Sequence, residues 1–125
     1  MEKQIPAREY EEVNAVANIY IDGMKNSDWS ILASAFRETA SVYAHISGKW
    51  TESNMHHLHE MLENYPKVPD FTHNVSVISM TPVVAVVRIE IDYVDTFNPF
   101  TDFITMAKVD GKWQIVSKAS CEYTK

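Results

Sequence analysis

The side chains that could do chemistry in this chain are few, and their spacing sorts them. Asp102 stands at the head of the strand-like run Thr101–Val109, in phase with Ile104 and Met106 on an apolar face. A carboxyl there is either a structural group, capping nearby amides, or part of a pocket. In a pocket, burial would raise its pKa and let it donate a hydrogen bond to a ligand oxygen. His56, His57 and His59 crowd one stretch of helix, with His45 and His73 elsewhere. Two imidazoles three residues apart can meet on a helix, but the i, i+4 spacing of an HExxH zinc motif is absent. His56 points opposite the apolar stripe and His57 and His59 flank it. That is the pattern of a solvated helix surface, and no metal site is expected. His45 closes a short strand. It is a candidate pocket residue, the alternative being a surface or structural histidine. Cys121 has no activating neighbour in sequence. No glycine-rich phosphate loop or nucleophile elbow is present, and no cofactor is implied.

The elements that must position these groups follow from periodicity. From Glu9 to Asn26, Val13, Val16, Ala17, Tyr20 and Met24 form one stripe at helical spacing. Ser27 or Asp28 can cap a second, short helix from Trp29 to about Phe36. Ala40 to Ile46 alternates as a strand, with Val42, Ala44 and Ile46 on one face and Ser41, Tyr43 and His45 on the other. Ser47-Gly48-Lys49 reads as a turn or loop. Ser53 or Asn54 then caps a third helix running to about Tyr65, with Met55, Leu58, Leu62 and Tyr65 as its stripe; Pro66 and Pro69 stop it. Thr72–Met80, Val83–Thr96, Thr101–Val109 and Lys112–Glu122 are rich in β-branched and aromatic residues. Their connections, Thr81-Pro82, Asn98-Pro99 and Asp110-Gly111, are short, so neighbours run antiparallel. The order helix, helix, strand, helix, four strands gives an α+β fold, in which a long curved sheet can wrap over the helices and enclose a cavity. Both faces of Thr101–Val109 are largely apolar. One covers the cavity and the other a dimer interface, and alternation alone does not say which.

Composition narrows the partners. A chain of 125 residues, 46% hydrophobic and 22% charged, is one domain spanning 1–125 with room for a core. The net charge of −6 argues against nucleic acid or an anionic membrane, which both need basic patches. No segment approaches the roughly 18 apolar residues of a membrane span. The polar, acidic start MEKQIPAREYEE is unlike a signal peptide. Cys121, the single cysteine, cannot form an internal disulfide, and the expected location is the cytoplasm.

Three segments carry a family likeness: Tyr20-Ile21-Asp22-Gly23 followed by Ser27-Asp28; Ala35-Phe36-Arg37-Glu38-Thr39-Ala40; and Thr101-Asp102-Phe103 through Asp110-Gly111-Lys112-Trp113-Gln114-Ile115-Val116-Ser117-Lys118. With the element order, they make the chain resemble the nuclear transport factor 2-like superfamily, and within it the putative lumazine-binding family. The resemblance implies three N-terminal helices packed in the concave face of a strongly curved, mostly antiparallel sheet, a cystatin-like α+β cone. It also implies a homodimer formed through the outer sheet face. The superfamily includes ketosteroid isomerase, which uses an Asp base and an oxyanion hole made of a Tyr and a protonated Asp. When the chain is laid on that enzyme from Asp28 and Phe36, Tyr20 falls at the oxyanion-hole Tyr and Asp102 near the protonated Asp. The general base falls at Ala44, which has no titratable group. The resemblance thus implies a cavity shared by Tyr20 and Asp102, with His45 at its opening. Trp29, Phe36, Trp50 and Tyr93 are candidate lining for a flat, mostly apolar ligand.

Three functional expectations follow. The first is a small-molecule-binding protein with a conical, largely apolar pocket. The second is an enzyme of the isomerase, dehydratase or cyclase kind using Tyr20, Asp102 and His45. Abstracting a proton next to a carbonyl needs a base within roughly 3 Å, which Ala44 does not supply. The third is an association domain whose cavity is filled by side chains.

Overall fold

The computed structural model describes residues 4–64, 70–95 and 97–124. In chain order the elements are α1 (Ala7–Lys25), α2 (Trp29–Ser34), β1 (Phe36–Ile46), β2 (Lys49–Asn54), α3 (Met55–Asn64), β3 (Phe71–Met80), β4 (Val84–Tyr93), β5 (Phe100–Val109) and β6 (Lys112–Glu122). The strands form one curled, unclosed sheet in the order β2-β1-β6-β5-β4-β3. Every pairing is antiparallel except β1 with β6. This is the expected α+β architecture. The one parallel pairing is possible because the long stretch between β1 and β6 allows a crossover.

The stripe read on α1 is the face it buries, with Val16 only half-buried at its edge and Ile21 added to it. Val13, Ala17, Tyr20, Ile21 and Met24 pack with Leu58 and Leu62 of α3 against the concave face of the sheet, where Ala85, Val87, Ile89 and Ile91 of β4 meet Ile104 and Met106 of β5. Asp102 therefore lies on the inner face, and Phe103 on the outer face is half exposed. The Asp28 side chain caps α2 by accepting from the Ile31 amide at 3.2 Å. Asn54 does the same for α3, accepting from the His56 amide at 2.9 Å. Gly23 lets α1 and α2 touch: a Cβ at Gly23 would stand 2.7 Å from the Leu32 backbone.

Several boundaries differ from the expectation. The segment from Lys49 to Asn54 is not a lead-in to the third helix but a sixth strand. Ser47 and Gly48 have φ of 52° and 78°, which closes a tight hairpin back onto β1. It is an exposed edge strand, so its sequence carries little hydrophobic alternation. β1 begins at Phe36 rather than Ala40, and α2 ends at Ser34 rather than near Phe36. The charged stretch Arg37-Glu38-Thr39 lies in an irregularity of the pairing with β6, which hides its strand character. β4 runs Val84–Tyr93, shorter than the expected Val83–Thr96, and Thr96 lies outside the described residues. Tyr65, Pro66 and Pro69, expected to end the third helix, also lie outside them. β6 has the expected bounds, and Asp110 and Gly111 close its hairpin with φ of 52° and 77°.

A bulge in β6 matters most for the site. Met106 pairs with Ile115 while Thr105 pairs with Ser117, so Val116 is unpaired. One inserted residue reverses which face each later side chain takes. Trp113 and Ile115 are buried before the bulge, and Lys118 and Ser120 are buried after it.

Candidate functional site

The cone opens at the end of the sheet where β1, β4 and β6 finish and β5 begins, beside the C-terminal parts of α1 and α3. A pocket of about 350 Å³ lies there, floored by Met24, Ile46, Met61, Tyr93, Phe97 and Phe100. Its polar lining is His57, Glu60, Asn64, Asn98 and Glu122. Among the described residues, the groups of fixed charge in that lining are thus two carboxylates. Glu122 is held in place by accepting from the Ser47 amide at 2.9 Å.

One side-chain row deeper, the apolar interior is broken by four polar groups. Tyr20 on α1 donates its hydroxyl to Asp102 Oδ2 at 2.8 Å. Lys118 Nζ stands 3.9 Å from Asp102 Oδ1, donates to Ser120 Oγ at 2.7 Å, and lies 5.9 Å from the centre of the Tyr20 ring. Tyr20 is 1% exposed, Asp102 2%, Ser120 4% and Lys118 7%. Strand register places this cluster under the pocket. Phe100 and Asp102 are successive inner-face residues of β5, and Glu122 and Ser120 are their cross-strand partners on β6. Successive same-face residues are about 7 Å apart, so the cluster lies that far past the floor. Lys118 starts one row deeper still, opposite Ile104, and its side chain climbs to the level of Ser120.

The electrostatics tie pocket and cluster together. Burial, and after it the adjacent Asp102 carboxylate, hold the Tyr20 phenol well above its ordinary range, so it is a firm hydrogen-bond donor. Tyr93, which lines the pocket, is also raised, by burial first and then by the charges of Asp102 and Asp95. The charge of Asp102 is thus felt by a phenol of the pocket lining.

Of the residues singled out in the sequence, Tyr20 and Asp102 are brought together, and Tyr93 lines the pocket. Phe36 is buried and forms a T-shaped ring pair with Tyr20, ring centres 5.9 Å apart. Trp29 stacks on His59 at 4.4 Å between α2 and α3, away from the pocket lining. His45 and Trp50 are corrections. Ala44 faces inward, so its neighbour His45 is turned to the outer face, where its ring meets Trp50 at 5.0 Å. Trp50 is 66% exposed. The histidine of the mouth is His57, which the helical pattern assigned to the surface. Asp102 accepts from Tyr20 and faces an ammonium; it is not the hydrogen-bond donor implied by the isomerase comparison. Lys118 and Ser120 went unnoticed in the sequence. The bulge at Val116 is the cause, because unbroken alternation from Trp113 and Ile115 turns both of them outward.

Comparison with known proteins agrees with this fold. Residues 8–120 match the model of a family described as putative lumazine-binding. A curated relative, aldolase FrzH of Cladobotryum sp., is 32% identical over 123 residues, covering 98% of each chain. A crystal structure of an NTF2-like protein of unknown function from Shewanella baltica OS155 superposes with a TM-score of 0.80 at 25% identity, over 98% of this chain and all of that one. A ketosteroid isomerase-like protein from Erwinia carotovora atroseptica SCRI1043 shares the fold with a TM-score of 0.77 at 14% identity, over 96% of this chain and all of that one.

Proposed function

Because the chain belongs to the putative lumazine-binding family of NTF2-like domains, we propose that it binds a small, mostly apolar organic molecule in the conical pocket, with a carbonyl-type oxygen directed at the Tyr20–Asp102–Lys118–Ser120 cluster. The observation that carries this reading is the cluster itself. Desolvating two opposite charges costs several kcal/mol per ion. The Tyr20 hydrogen bond to a charged acceptor returns only about 1.5–3 kcal/mol, and the Lys118–Asp102 separation of 3.9 Å is loose for a structural ion pair. A domain of this size gains more from apolar side chains at those positions, so a functional need is the better account of their presence. Glu60 and Glu122 at the mouth disfavour an anionic ligand and favour a neutral or cationic one.

The test uses acetophenone, a flat apolar molecule with one carbonyl. Bound ligand raises the melting temperature by mass action. The expected result is a concentration-dependent rise that Tyr20→Phe and Asp102→Asn weaken while both variants remain folded. A rise unaffected by either substitution removes the cluster from the site.

A second reading, catalysis, is favoured by one observation: the relative that matches nearly end to end is named an aldolase. Aldol chemistry begins by removing a proton next to a carbonyl. Ala44 carries no base, but Asp102 shares its cross-strand row, with Ser120 between them. Asp102 would take the proton, and Tyr20 and Lys118 would stabilise the resulting oxyanion. Exchange of the acetophenone methyl hydrogens in deuterated water, followed by NMR, reads this step. The reading expects exchange faster than in buffer and lost in Asp102→Asn.

We also infer a homodimer through the outer sheet face. Tyr43, Ala119 and Phe103 form one cross-strand row there, and Tyr43 and Phe103 are 41% and 51% exposed. Apolar side chains clustered on an open sheet face are typical of an interface.

A further inference from the structure

We propose that Lys118 is a covalent group of the site: its amine condenses with the carbonyl carbon of the ligand to form a Schiff base. This rests on the small-molecule reading above and deepens it by naming the ligand class as aldehydes or ketones able to form an imine.

Four observations carry it. Lys118 is a lysine whose side chain is 8% exposed, on the inner face of the cone. Lysine rarely occupies such a position without a partner that holds it there for a purpose. Its Nζ makes one tight hydrogen bond, to Ser120 Oγ at 2.7 Å, and an ion pair at 3.9 Å that is too long for a second. An ammonium has three protons to place, so this one makes fewer hydrogen bonds than it has donors. Asp102 is the carboxylate nearest Nζ, at 3.9 Å, and would exchange protons with it after a side-chain shift of about 1 Å into hydrogen-bond reach, while Tyr20 is a phenol kept protonated beside both. Finally, the bulge at Val116 is what turns Lys118 inward, and bulges recur where a side chain is re-aimed at an active site.

The step balances without a co-reactant. Asp102 takes one proton from the ammonium. The freed amine nitrogen attacks the carbonyl carbon, forming the N–C bond as the carbonyl π pair moves to oxygen, which collects a proton. The carbinolamine then loses its oxygen as water, carrying away two of the three original ammonium protons, and the third stays on the iminium nitrogen. The iminium acidifies the adjacent C–H, and Asp102 can remove that proton to leave an enamine. Ser120, hydrogen-bonded to Nζ, is a positioning residue for the amine. A ligand must reach about 7 Å past the pocket floor, one strand repeat, which suits a narrow molecule with its carbonyl at one end.

Reductive trapping tests this. The full chain is incubated with phenylacetaldehyde and cyanoborohydride, and labelled lysines are located by peptide mass spectrometry. The inference expects label on Lys118 several-fold above that on each exposed lysine, despite its burial, and loss of that label when excess acetophenone competes. Lys118→Arg keeps the charge beside Asp102 but cannot form an imine, so it is expected to lose proton exchange and the reductive label at position 118. Label confined to surface lysines overturns the covalent step. If acetophenone still raises the melting temperature in that case, the pocket reading stands alone; if it does not, both readings fall. Should Lys118→Arg not fold, the labelling map of the native protein decides by itself.

Discussion

Asp102 and Lys118 have side chains 3% and 8% exposed, so removing either leaves the other charged in a low-dielectric interior. Breaking such a pair costs about 3–5 kcal/mol, and the 3.9 Å separation points to the lower end. Lys118→Met and Asp102→Asn are each expected to lower stability by about 3 kcal/mol in denaturant titration. The double variant is expected to lose clearly less than the sum, because neither orphaned charge remains. Strict additivity would mean the pair does not interact. Tyr20→Phe removes one donor to a charged acceptor and is expected to cost about 1.5–3 kcal/mol. At this scale the sequence showed half of the cluster. Tyr20 lies on a helical stripe and Asp102 on an alternating strand, both regular patterns. Lys118 and Ser120 follow a bulge, and no local pattern announces the extra residue. His57 was misjudged for a related reason: a helix flank facing a groove and one facing solvent have the same spacing.

Two contacts between elements fix the frame that holds the cluster. Glu9, in the first turn of α1, accepts from Lys108 Nζ and Trp113 Nε1 at 2.8 Å each, latching the helix to the β5–β6 hairpin. The Lys108 hydrogen bond first, then that of Trp113, holds the Glu9 carboxyl below its ordinary value of 4.5. A depressed carboxylate stabilises the fold fully above its unfolded value, and that stabilisation is lost as pH falls toward the folded one. The Glu9 contribution to melting temperature is therefore expected to be full and constant with pH near neutrality and to decline below about pH 4.5, with Glu9→Gln removing that part of the acid sensitivity. An equal acid slope in the variant would show that the latch is not the titrating group. The α1–α2 contact is the second. Gly23→Ala places a methyl 2.7 Å from the Leu32 backbone, which must move, and a loss of about 1–3 kcal/mol in thermal or chemical unfolding is expected. The helices were legible from their apolar stripes, and the last four strands from β-branched and aromatic runs joined by short turns. β2 was not, because an exposed edge strand is held by backbone hydrogen bonds that leave no hydrophobic trace.

At the scale of the molecule, the curled sheet has two working faces. The outer face carries the proposed dimer contact, and Phe103→Glu is expected to convert a dimer to a monomer in light scattering without unfolding it. A native protein that is monomeric at high concentration would contradict that contact. The inner face carries the cone, whose architecture followed from element order and short connections. The location of the mouth did not, since it depends on which strand ends the helices leave uncovered. The central claim, that the cone takes a carbonyl compound at the buried cluster, is tested most directly by amide NMR during titration with acetophenone. Shifts concentrated at inner-face residues Tyr93, Asp102, Lys118 and Ser120, saturating together and absent in Asp102→Asn, are the predicted result. Shifts confined to the outer face around Phe103 and Tyr43, or none up to the solubility of the probe, would contradict it.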